Sequence, residues 1–449
     1  MNQHLARKYA APAPRYTSYP TAPHFHEGVD AAVYRTWLEA LPAGARLSLY
    51  AHIPYCDRLC WFCACHTKQT HAYAPLARYV DALLAEIATV GAILDARMPV
   101  DSLHFGGGSP TLLSPADMGR LDAALRAAFP FRPDAEISVE IDPNDMDEAR
   151  FDALAAMGMT RASLGVQDFD PKVQKAINRE QSFDQTRWVV DSARARGARS
   201  VNVDAVYGLP HQSVASVAQT IDQVVSLAPD RIALFGYAHV PWFKKHQTMI
   251  DESALPDAAA RLEQSSVAAE RIVAAGYVQI GLDHFALPSD TMAVAAASGG
   301  LARNFQGYAV DAADALIGLG ASSIGRLPQG YVQNMPATGQ YERMVTAGGL
   351  AAVRGITLSD DDRVRGWVIE RLMCDFAFSV EEAIARFGTM ARPVVADAER
   401  IALADEDGLF RRHGDRFTVT ARGRPFVRSI AAQFDAYFAK GQVRHSIAV

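Results

Sequence analysis

From Arg46 onward, short β-rich runs alternate with amphipathic helical stretches, and this alternation occurs six times. The β-rich runs are RLSLYAHIP, VDSLHFGGG, EISVEIDP, RASLGVQ, SVNVDAVYG and RIALFGYAH. A helical stretch follows each of them, as in SPADMGRLDAALRAAF, where Ser114 is a favourable N-cap residue. Consecutive strand–helix units favour a parallel sheet whose crossover helices pack against it. The sequence therefore predicts an α/β fold.

Six such units can form either an open doubly wound sheet or a partial βα barrel. Glycines, carboxylates, amides and cysteines directly follow the strands, in the segments HIPYC, GGGSP, EIDP, GVQ, DAVYG and GYAH. In a barrel-like sheet the carboxyl ends of the strands converge on one mouth, where ligands bind. We therefore predict a partial (βα)6 barrel as the catalytic domain, over residues 36–350.

The segments on either side of this barrel have a different composition. Residues 1–35 are rich in Pro, Tyr and Ala and predict an irregular N-terminal arm. Residues 351–449 contain three helical patterns followed by a hairpin that turns at 413–415. This order predicts a small, mainly helical, winged-helix-like C-terminal domain. Winged helices often bind DNA, but the many acidic residues here disfavour that interpretation.

The overall charge and hydropathy exclude two classes of partner. The net charge is −6 and the pI is about 6.1, so the composition lacks the basic excess of a nucleic-acid-binding protein. No run approaches the ~18 apolar residues of a membrane span, and the N-terminus lacks the apolar run of a signal peptide. We expect a cytoplasmic monomer, in a compartment where thiols stay reduced.

Four of the five cysteines lie within ten residues, in the spacing Cys56-x3-Cys60-x2-Cys63-x-Cys65. Because a disulfide is not expected in a reducing compartment, these thiols should bind a metal or take part in a reaction. A buried, inert cluster is disfavoured by the charged residues around the thiols, which include Asp57, Arg58 and Lys68.

Zinc and an iron–sulfur cluster remain as interpretations of this loop. Structural zinc needs four tetrahedral ligands, usually from two separated pairs; Cys374 stands alone, although His66 or His71 could complete a set. Thiolates at the first three positions can instead hold three corners of a [4Fe–4S] cube and leave its fourth iron open. Cys65 could in principle close that corner, and this alternative stays open.

The cysteine loop also resembles a known signature. CxxxCxxC directly after YAHIP, with an aromatic residue before the third cysteine, resembles the signature of the radical S-adenosylmethionine (SAM) enzymes. The run from Gly106 to Pro110 resembles their second, glycine-rich signature. The independently predicted partial barrel agrees with this resemblance.

Further segments resemble one family of radical SAM enzymes, the oxygen-independent coproporphyrinogen III oxidases. They are PRYTSYPTA, the added Cys65, HFGGGSPT, EISVEIDP, SLGVQDF, NRE, VDAVYGLP, GYAHVP, GLDHFALP and RNFQGY. The similarity extends from about residue 14 to the C-terminal hairpin. The sequence departs from the family at Ser109, where Thr is commoner, and at Ala64, where Gly is commoner.

The resemblance implies a reaction and its cofactors. The family converts two propionate side chains of coproporphyrinogen III to vinyl groups by anaerobic oxidative decarboxylation, giving protoporphyrinogen IX in haem (porphyrin) biosynthesis. It uses a [4Fe–4S] cluster and, by the resemblance, two molecules of SAM, one of which binds the open iron and yields a 5′-deoxyadenosyl radical. That radical takes a hydrogen atom from a propionate Cβ. An electron-donor protein and an unidentified electron acceptor are expected as partners.

The resemblance also assigns site residues one by one. The cluster ligands are Cys56, Cys60 and Cys63. The cluster-bound SAM would contact Tyr50, Gly107, Glu140 at its ribose hydroxyls and Ile324 at its adenine. The second SAM would contact Phe62, Gly108, Ser109, Gln167, Arg179, Asp204 and Ala238. Cys65, as a thiol near the active site, and Tyr50 are the catalytic candidates. Taken singly, Glu140 and Asp204 would more often be helix caps or ion-pair partners.

A substrate with four carboxylates predicts arginines at the mouth of the barrel, and the candidates are Arg15, Arg179 and Arg303. Asp283 and His284 are either a proton or hydrogen-bond group near the substrate or a structural pair. The N-terminal arm, with Tyr16 and Tyr19, is predicted to fold over the mouth as a lid.

Two other functions are compatible with a radical SAM core. One is a haem chaperone, but such proteins lack the fourth cysteine and the RYTSYPT arm, and both are present here. The other is a different radical SAM reaction on a tetrapyrrole.

Overall fold

The computed structural model describes residues 5, 8–9, 11–95, 97–305, 307–310 and 313–438. The strands of these residues are β1 Leu47–Ile53, β2 Tyr55–Cys56, β3 Lys68–Gln69, β4 Val100–Gly107, β5 Phe131–Ile141, β6 Arg161–Gln167, β7 Ser200–Tyr207, β8 Arg231–Gly236, β9 Val278–Ile280, β10 His284–Ala286, β11 Ala302–Asn304, β12 Gly307–Ala309, β13 Ala315–Leu319, β14 Ile324–Leu327, β15 Gly330–Asn334, β16 Ala352–Thr357, β17 Ala377–Ser379, β18 Phe410–His413 and β19 Arg416–Val419. The α-helices are α1 Ala31–Glu39, α2 Ala74–Ile93, α3 Pro115–Ala128, α4 Glu148–Ala156, α5 Pro171–Ala176, α6 Phe183–Ala195, α7 Val214–Ser226, α8 Ala258–Ala274, α9 Thr291–Ala297, α10 Thr338–Thr346, α11 Asp360–Asp375, α12 Val380–Phe387, α13 Ala391–Ala404 and α14 Val427–Ala431.

The predicted strand–helix units are confirmed. β1, β4, β5, β6, β7 and β8 coincide with the six β-rich runs, and each precedes a helix that packs on the sheet. With β13 they form a parallel core in the order β13-β1-β4-β5-β6-β7-β8. Ser114 caps α3 as predicted, since its hydroxyl accepts a hydrogen bond from the Asp117 backbone N–H.

The sheet is longer than the sequence predicted. Antiparallel strands extend it on both sides, β14, β15 and β16 beyond β13, and β10 and β9 beyond β8. In the described part of the chain β16 and β9 are its two edges and do not pair, so the sheet is open and agrees with a partial barrel. The added strands were missed because most are short and β13 and β15 are buried at every residue, which removes the alternating pattern.

Two faces of the sheet have different chemistry. On β7, Val201, Val203 and Ala205 pack beneath the helices. Their neighbours point to the opposite face, because successive strand residues alternate. On that face polar side chains line an interior cavity of about 290 Å³; they include Ser102, His104, Ser138, Ser163 and Asn202. The concave side of the sheet is therefore polar, and this cavity lies towards the amino ends of the strands, where Arg46, Arg161 and Arg231 also line it.

The C-terminal region contains the three predicted helices, α11, α12 and α13, and the predicted hairpin β18–β19. A third strand, β17, which the sequence analysis did not include, pairs with β19. Tyr16 and Tyr19 of the N-terminal arm are buried in the apolar core of this region, and the Tyr16 hydroxyl donates a hydrogen bond to Asp435 at 3.0 Å. The arm therefore packs on the C-terminal helices.

The division of the chain at residues 35 and 350 stays a prediction. β16 follows residue 350 in sequence but pairs with β15 and so continues the central sheet. None of the helices in the described ranges is long and apolar enough to cross a membrane.

Candidate active site

The cysteine loop begins where β1 ends, at the carboxyl edge of the parallel core. β2 and β3 pair in parallel and bring the two ends of the loop together. Inside it, the Cys63 N–H donates to the Cys60 carbonyl at 3.1 Å, and the Cys65 N–H donates to the Cys63 Sγ at 3.3 Å. The predicted cluster ligands thus lie on one compact loop.

Segments that follow other strands of the core hold this loop in place. The Trp61 N–H donates to the carbonyl of Ile177, just after α5, at 2.9 Å. The Gln247 side-chain amide donates to the Phe62 carbonyl at 2.9 Å and to the Ala238 carbonyl at 3.2 Å. The loop is therefore fixed by residues that follow β6 and β8. Gln247 contacts both Phe62 and Ala238, which were predicted to bind the second SAM.

The glycine run at the end of β4 lies directly against the cysteine loop. The Gly108 N–H donates to the Ile53 carbonyl at 2.8 Å. A Cβ added at Gly108 would lie 2.5 Å from the Tyr55 carbonyl oxygen, and one at Gly107 would lie 2.6 Å from the His52 ring. Gly107 also has φ +115°, a region that favours glycine. Glycine is needed here because no side chain fits between the two segments.

The thiols differ in their electrostatic surroundings. A hydrogen bond from Cys65, with the positive charges of Lys244 and Arg179, lowers the pKa of the Cys63 thiol to about 7 although burial opposes this. Burial raises the pKa of Cys56 to about 12. The pKa of Cys65 lies well above its ordinary value because its thiol donates to Cys63 and lies beside that charge. Cys63 is therefore the thiol most readily ionised.

The donor set of the loop fits an iron–sulfur cluster. Cys56, Cys60 and Cys63 are soft thiols on one loop and can hold three corners of a [4Fe–4S] cube, whereas a structural zinc ion takes four ligands, usually from two separated pairs. In the described part of the chain, the three metal-ligating side chains that lie within 4.8 Å of one another are Asp57, Asp142 and Asp145.

Three of the residues predicted for the cluster-bound SAM come together at the ends of β1, β4 and β5. Glu140 accepts a hydrogen bond from the Gly107 N–H at 3.0 Å and one from His104 at 3.2 Å. Burial raises the pKa of Glu140, but the charge and hydrogen bonds of these donors outweigh it and lower the pKa overall. The Tyr50 ring stacks on His104, with ring centres 5.8 Å apart.

Ile324, the fourth residue of this set, lies on β14. Its backbone is 3.0 Å from the position of a Cβ at Gly318, which is the partner of Tyr50 in the β1–β13 pairing. Ile324 is therefore a neighbour of Tyr50 across β13.

Sequence reasoning missed His52 and His104. The Tyr50 hydroxyl donates to His52 Nδ1 at 2.9 Å, and His52 Nε2 donates to the His66 carbonyl at 2.9 Å. Burial lowers the pKa of His52 to about 4, which fits a neutral ring with one donor and one acceptor. The sequence did contain a signal for His52, because it lies two residues after Tyr50 on β1 and residues two apart on a strand face the same side of the sheet.

Arg179, predicted for the second SAM, connects three parts of the site. Its guanidinium donates to the Cys60 Sγ at 3.6 Å, to Asp142 at 2.9 Å and to the Gly165 carbonyl at 2.6 Å. It does not line the arginine-rich cavity described below. It therefore anchors the cysteine loop to the ends of β5 and β6.

Three further residues of the second set lie on or just after strands of the core. Gln167 ends β6 with φ +70°, and the Ser109 hydroxyl donates to Asp145. Asp204 on β7 accepts from the Asn202 amide at 2.7 Å. Burial and the charge of Glu140 raise the pKa of Asp204 to about 6.

An arginine-rich cavity of about 350 Å³ opens at the carboxyl ends of β7 and β8, between the sheet and the C-terminal region. Five arginines line it: Arg15, Arg261, Arg303, Arg424 and Arg428. Its acidic residues are Asp283 and Glu270. Positive charge therefore predominates in the lining, and two of these arginines, Arg15 and Arg303, were predicted from the sequence.

Several guanidinium atoms in this cavity lack a hydrogen-bond partner. Nε and Nη1 of the buried Arg303, and Nε of Arg261, have none among the described residues. Burial and the neighbouring charge of Arg15 lower the pKa of Arg428 to about 10. Burial would raise the pKa of Asp283, but the hydrogen bond and charge of His284 and the charge of Arg303 hold it at about 2. The cavity suits a ligand with several carboxylates.

A short segment joins the arginine cavity to the cysteine loop. Arg15 donates to the Gly236 carbonyl at 3.0 Å, and two residues later the Ala238 carbonyl accepts the Gln247 amide that also contacts Phe62. The two features are therefore adjacent. Arg15 brings the N-terminal arm to the cavity, while closure of the arm as a lid stays a prediction.

Comparison with known proteins gives consistent matches over nearly the whole chain. The radical SAM superfamily model matches residues 50–224, and the HemN C-terminal domain model matches residues 358–426. The oxygen-independent coproporphyrinogen III oxidase of Bradyrhizobium diazoefficiens is 50% identical over 436 residues, 97% of each chain. The protein of that name from Pseudomonas aeruginosa is 42% identical over 440 residues, 96% of this chain and 95% of that one. The solved structure of coproporphyrinogen III oxidase (HemN) from Escherichia coli, a radical SAM enzyme, has a TM-score of 0.91 and 37% identity, and covers 97% of this chain and 99% of that one.

Proposed function

Because the chain belongs to the oxygen-independent coproporphyrinogen III oxidase family of radical SAM enzymes, we propose that it oxidatively decarboxylates two propionate side chains of coproporphyrinogen III without oxygen. The product is protoporphyrinogen IX, and the chain is an oxidoreductase of haem biosynthesis. The observation that carries this proposal is that the arginine cavity lies beside the cysteine loop. A substrate with four carboxylates needs cations to bind it, and its oxidation needs the cofactor that the loop would hold. These relatives favour this reaction over the haem-chaperone alternative.

Cys56, Cys60 and Cys63 would hold the [4Fe–4S] cluster, since they are soft thiols on one loop. The cluster and SAM together supply a 5′-deoxyadenosyl radical that abstracts hydrogen. The protein's own contribution is position and exclusion of water. Gly107 and Gly108 let the end of β4 pack closely against β1 and the cysteine loop, and Glu140 offers carboxylate oxygens to ribose hydroxyls.

The second SAM is a separate proposal. Its support is that Phe62 and Ala238 share the Gln247 amide and that Arg179 lies between the cysteine loop and the end of β6. Asp204, with its pKa raised to about 6 by burial and the charge of Glu140, faces the same interior as Glu140. A mass-spectrometric count of SAM bound per chain, in the wild type and in Asp204→Asn, tests this stoichiometry.

We propose that the arginine cavity binds the propionate carboxylates. The partnerless nitrogens of Arg303 and Arg261 are donors in a desolvated setting, where hydrogen bonds to a carboxylate are strongest. Asp283 and His284 lie beside the middle of β8. They connect these donors with the barrel interior, because Asp283 lines the arginine cavity and His284 lines the interior cavity. Cytoplasmic location is part of the proposal, since reduced thiols are required.

The test is anaerobic turnover of coproporphyrinogen III by reconstituted protein with SAM, a reductant and a cell-extract electron acceptor, with porphyrins and 5′-deoxyadenosine measured by chromatography. We expect protoporphyrin from the wild type and none from Cys60→Ser. SAM cleavage without a vinyl product would contradict the assignment, and tight haem binding without any cleavage would favour the chaperone.

A matched pair of variants on α8 tests the substrate site. Arg261→Met removes a guanidinium that lines the cavity, whereas Arg271→Met removes one that pairs with Asp222 on the surface. Loss of a charged hydrogen bond costs about 1.5–3 kcal/mol, so KM for coproporphyrinogen III should rise by roughly 10- to 100-fold in the first variant. Arg271→Met should match the wild type, and equal KM values would refute this placement of the substrate.

A further inference from the structure

The lysines of this chain are concentrated around the cysteine loop. The sequence has only seven, at positions 8, 68, 172, 175, 244, 245 and 440, in a chain of net charge −6. Lys68 lies on β3, at the end of the loop, and Lys172 and Lys175 lie on α5. Lys244 and Lys245 lie in the segment after β8 that contacts the loop. Five of the seven lysines therefore lie on the loop or on segments that contact it.

The segment that holds Lys244 and Lys245 also exposes large apolar side chains. Trp242 is 51% exposed, Phe243 is 72% exposed and Met249 is 57% exposed. An exposed apolar group with a charged rim is typical of a protein-binding site. The lysine patch is defined here as these three residues together with Lys68, Lys172, Lys175, Lys244 and Lys245.

The lysine patch touches the backbone of the cysteine loop. Lys244 Nζ donates to the Cys65 carbonyl at 2.8 Å, and His246 Nε2 donates to the Cys63 carbonyl at 2.7 Å. Lys172, Lys175 and Lys245 are exposed. A partner seated on this patch would thus lie directly against the loop that carries the thiols.

The acidic residues of the same segments do not cancel this charge. Asp57 pairs with Arg58 at 3.2 Å, and Asp170 accepts the first backbone N–H groups of α5 as its N-cap. Glu180 is exposed near α5, and Asp251 and Glu252 are exposed just after Met249, where Glu252 lies 3.0 Å from His239. The five lysines of the patch outnumber these acids, so it carries a small net positive charge on a chain that is acidic overall, and that charge attracts an acidic partner.

We propose that the lysine patch docks a small acidic protein that carries one electron at a time and delivers it to the cluster. This rests on the proposed function, because each cleavage of SAM consumes one electron that the substrate does not supply at that step. The carrier is oxidised by one electron and the cluster is reduced by one, and no bond forms or breaks. Electron-transfer encounters of this kind use small interfaces, below about 1,200 Å², which suits a compact patch.

The test compares two variants with the same change in total charge. The patch variant is Lys172→Glu/Lys175→Glu/Lys245→Glu, and the control is Arg35→Glu/Arg97→Glu/Arg400→Glu, whose guanidinium groups are exposed and pair with acids away from the loop. Binding of purified bacterial flavodoxin is measured by calorimetry at low and high salt. The rate of cluster reduction is measured by absorbance with flavodoxin hydroquinone and, separately, with dithionite.

We expect the patch variant to bind flavodoxin at least 10-fold more weakly and to be reduced by it at least 10-fold more slowly at low salt, with the difference shrinking at high salt. The control should stay within twofold of the wild type, and dithionite should reduce all three proteins equally. Absence of flavodoxin binding by the wild type, or equal effects in the two variants, would overturn the proposal. Loss of binding to anionic lipid vesicles or to DNA, with flavodoxin binding unchanged, would also overturn it.

Failure of the docking proposal is distinguishable from failure of the proposed function. Turnover driven by dithionite reports on the reaction alone. If dithionite supports formation of the vinyl product but the patch variant binds flavodoxin as the wild type does, the docking proposal is wrong and the proposed reaction stands. If the patch variant binds flavodoxin more weakly but no vinyl product forms, the proposed reaction is wrong and the docking proposal stands.

Discussion

Substitution of a glycine by alanine should have different effects on stability and iron content in the glycine run and in an ordinary helix. Gly108 lies where β4 meets the cysteine loop, and Gly119 lies exposed on α3. A Cβ at Gly108 would lie 2.5 Å from the Tyr55 carbonyl oxygen and 2.8 Å from the Tyr55 nitrogen, whereas one at Gly119 would meet nothing within 4 Å. The two substitutions by Ala add the same group to very different surroundings.

The expected effects have opposite signs. At Gly108 the contact must open by about 0.5–1 Å to reach ordinary van der Waals separation, and overpacking of this kind costs about 1–3 kcal/mol of the free energy of unfolding. The atoms that must move belong to the residue before Cys56, so the thiols shift with them. At Gly119 the change removes a flexible residue from a helix and should stabilise by about 0.5–1 kcal/mol.

The assay is anaerobic reconstitution followed by iron and sulfide determination, with urea unfolding of both variants. Gly108→Ala should unfold at lower urea concentration than the wild type and retain less than half of the wild-type iron, and Gly119→Ala should keep full iron and unfold slightly later. The iron content does not depend on SAM, so a lost SAM contact at Gly108 cannot imitate this result. Full iron and an unchanged midpoint in Gly108→Ala would refute the reasoning.

Three further predictions follow from single contacts. Glu86→Gln should lower the free energy of unfolding by about 1–3 kcal/mol, because the buried carboxylate accepts from three donors. Burial raises the pKa of Glu86 from 4.5 to about 7. Between those pH values the folded state binds one more proton than the unfolded state, so the free energy of unfolding of the wild type falls as pH rises, by about 3 kcal/mol in total. Urea unfolding at several pH values should show this slope in the wild type and not in Glu86→Gln. Cys65→Ser should keep the wild-type iron content, since Cys65 lies outside the proposed ligand set, and iron loss equal to that of Cys60→Ser would contradict that set. Tyr16→Phe should cost about 1 kcal/mol through the lost bond to Asp435, and an unchanged urea midpoint would show that this bond contributes nothing.

The sequence predicted the parts of the fold whose pattern is local. The six strand–helix units combine apolar runs with polar residues at the strand ends, and both signals lie within a few residues of each other. The sequence did not predict β14, β15 and β16, because their pairing depends on contacts across the sheet. In the same way the loop cysteines could be named from spacing, while the contacts of the neighbouring Trp61 with Ile177 and of Phe62 with Gln247 depend on segments more than 100 residues away.

The arginine cavity shows the same division. Arg15 and Arg303 were named from the expected charge of the substrate, but Arg261, Arg424 and Arg428 come from α8 and the C-terminal region and have no shared motif. Only the packing of the chain brings them together. No rule on local spacing assigns an arginine to a cavity that three distant segments enclose.

Because three parts of the chain line the arginine cavity, the N-terminal arm and the C-terminal region both contribute to the site of the barrel. Arg428 donates to the carbonyls of Ala13 and Pro14 and so fixes the arm beside Arg15, while Arg303 donates to the Arg15 carbonyl at 3.3 Å. Each of the three segments thus supplies a guanidinium and also positions one from another segment. Arg15, Arg261, Arg303 and Arg428 each donate to a backbone carbonyl, and these bonds hold four of the five mutually repelling cations in place. On the proposed function, a polycarboxylate relieves that repulsion when it binds. The C-terminal region is therefore better explained as one wall of a carboxylate site than as a DNA-binding winged helix.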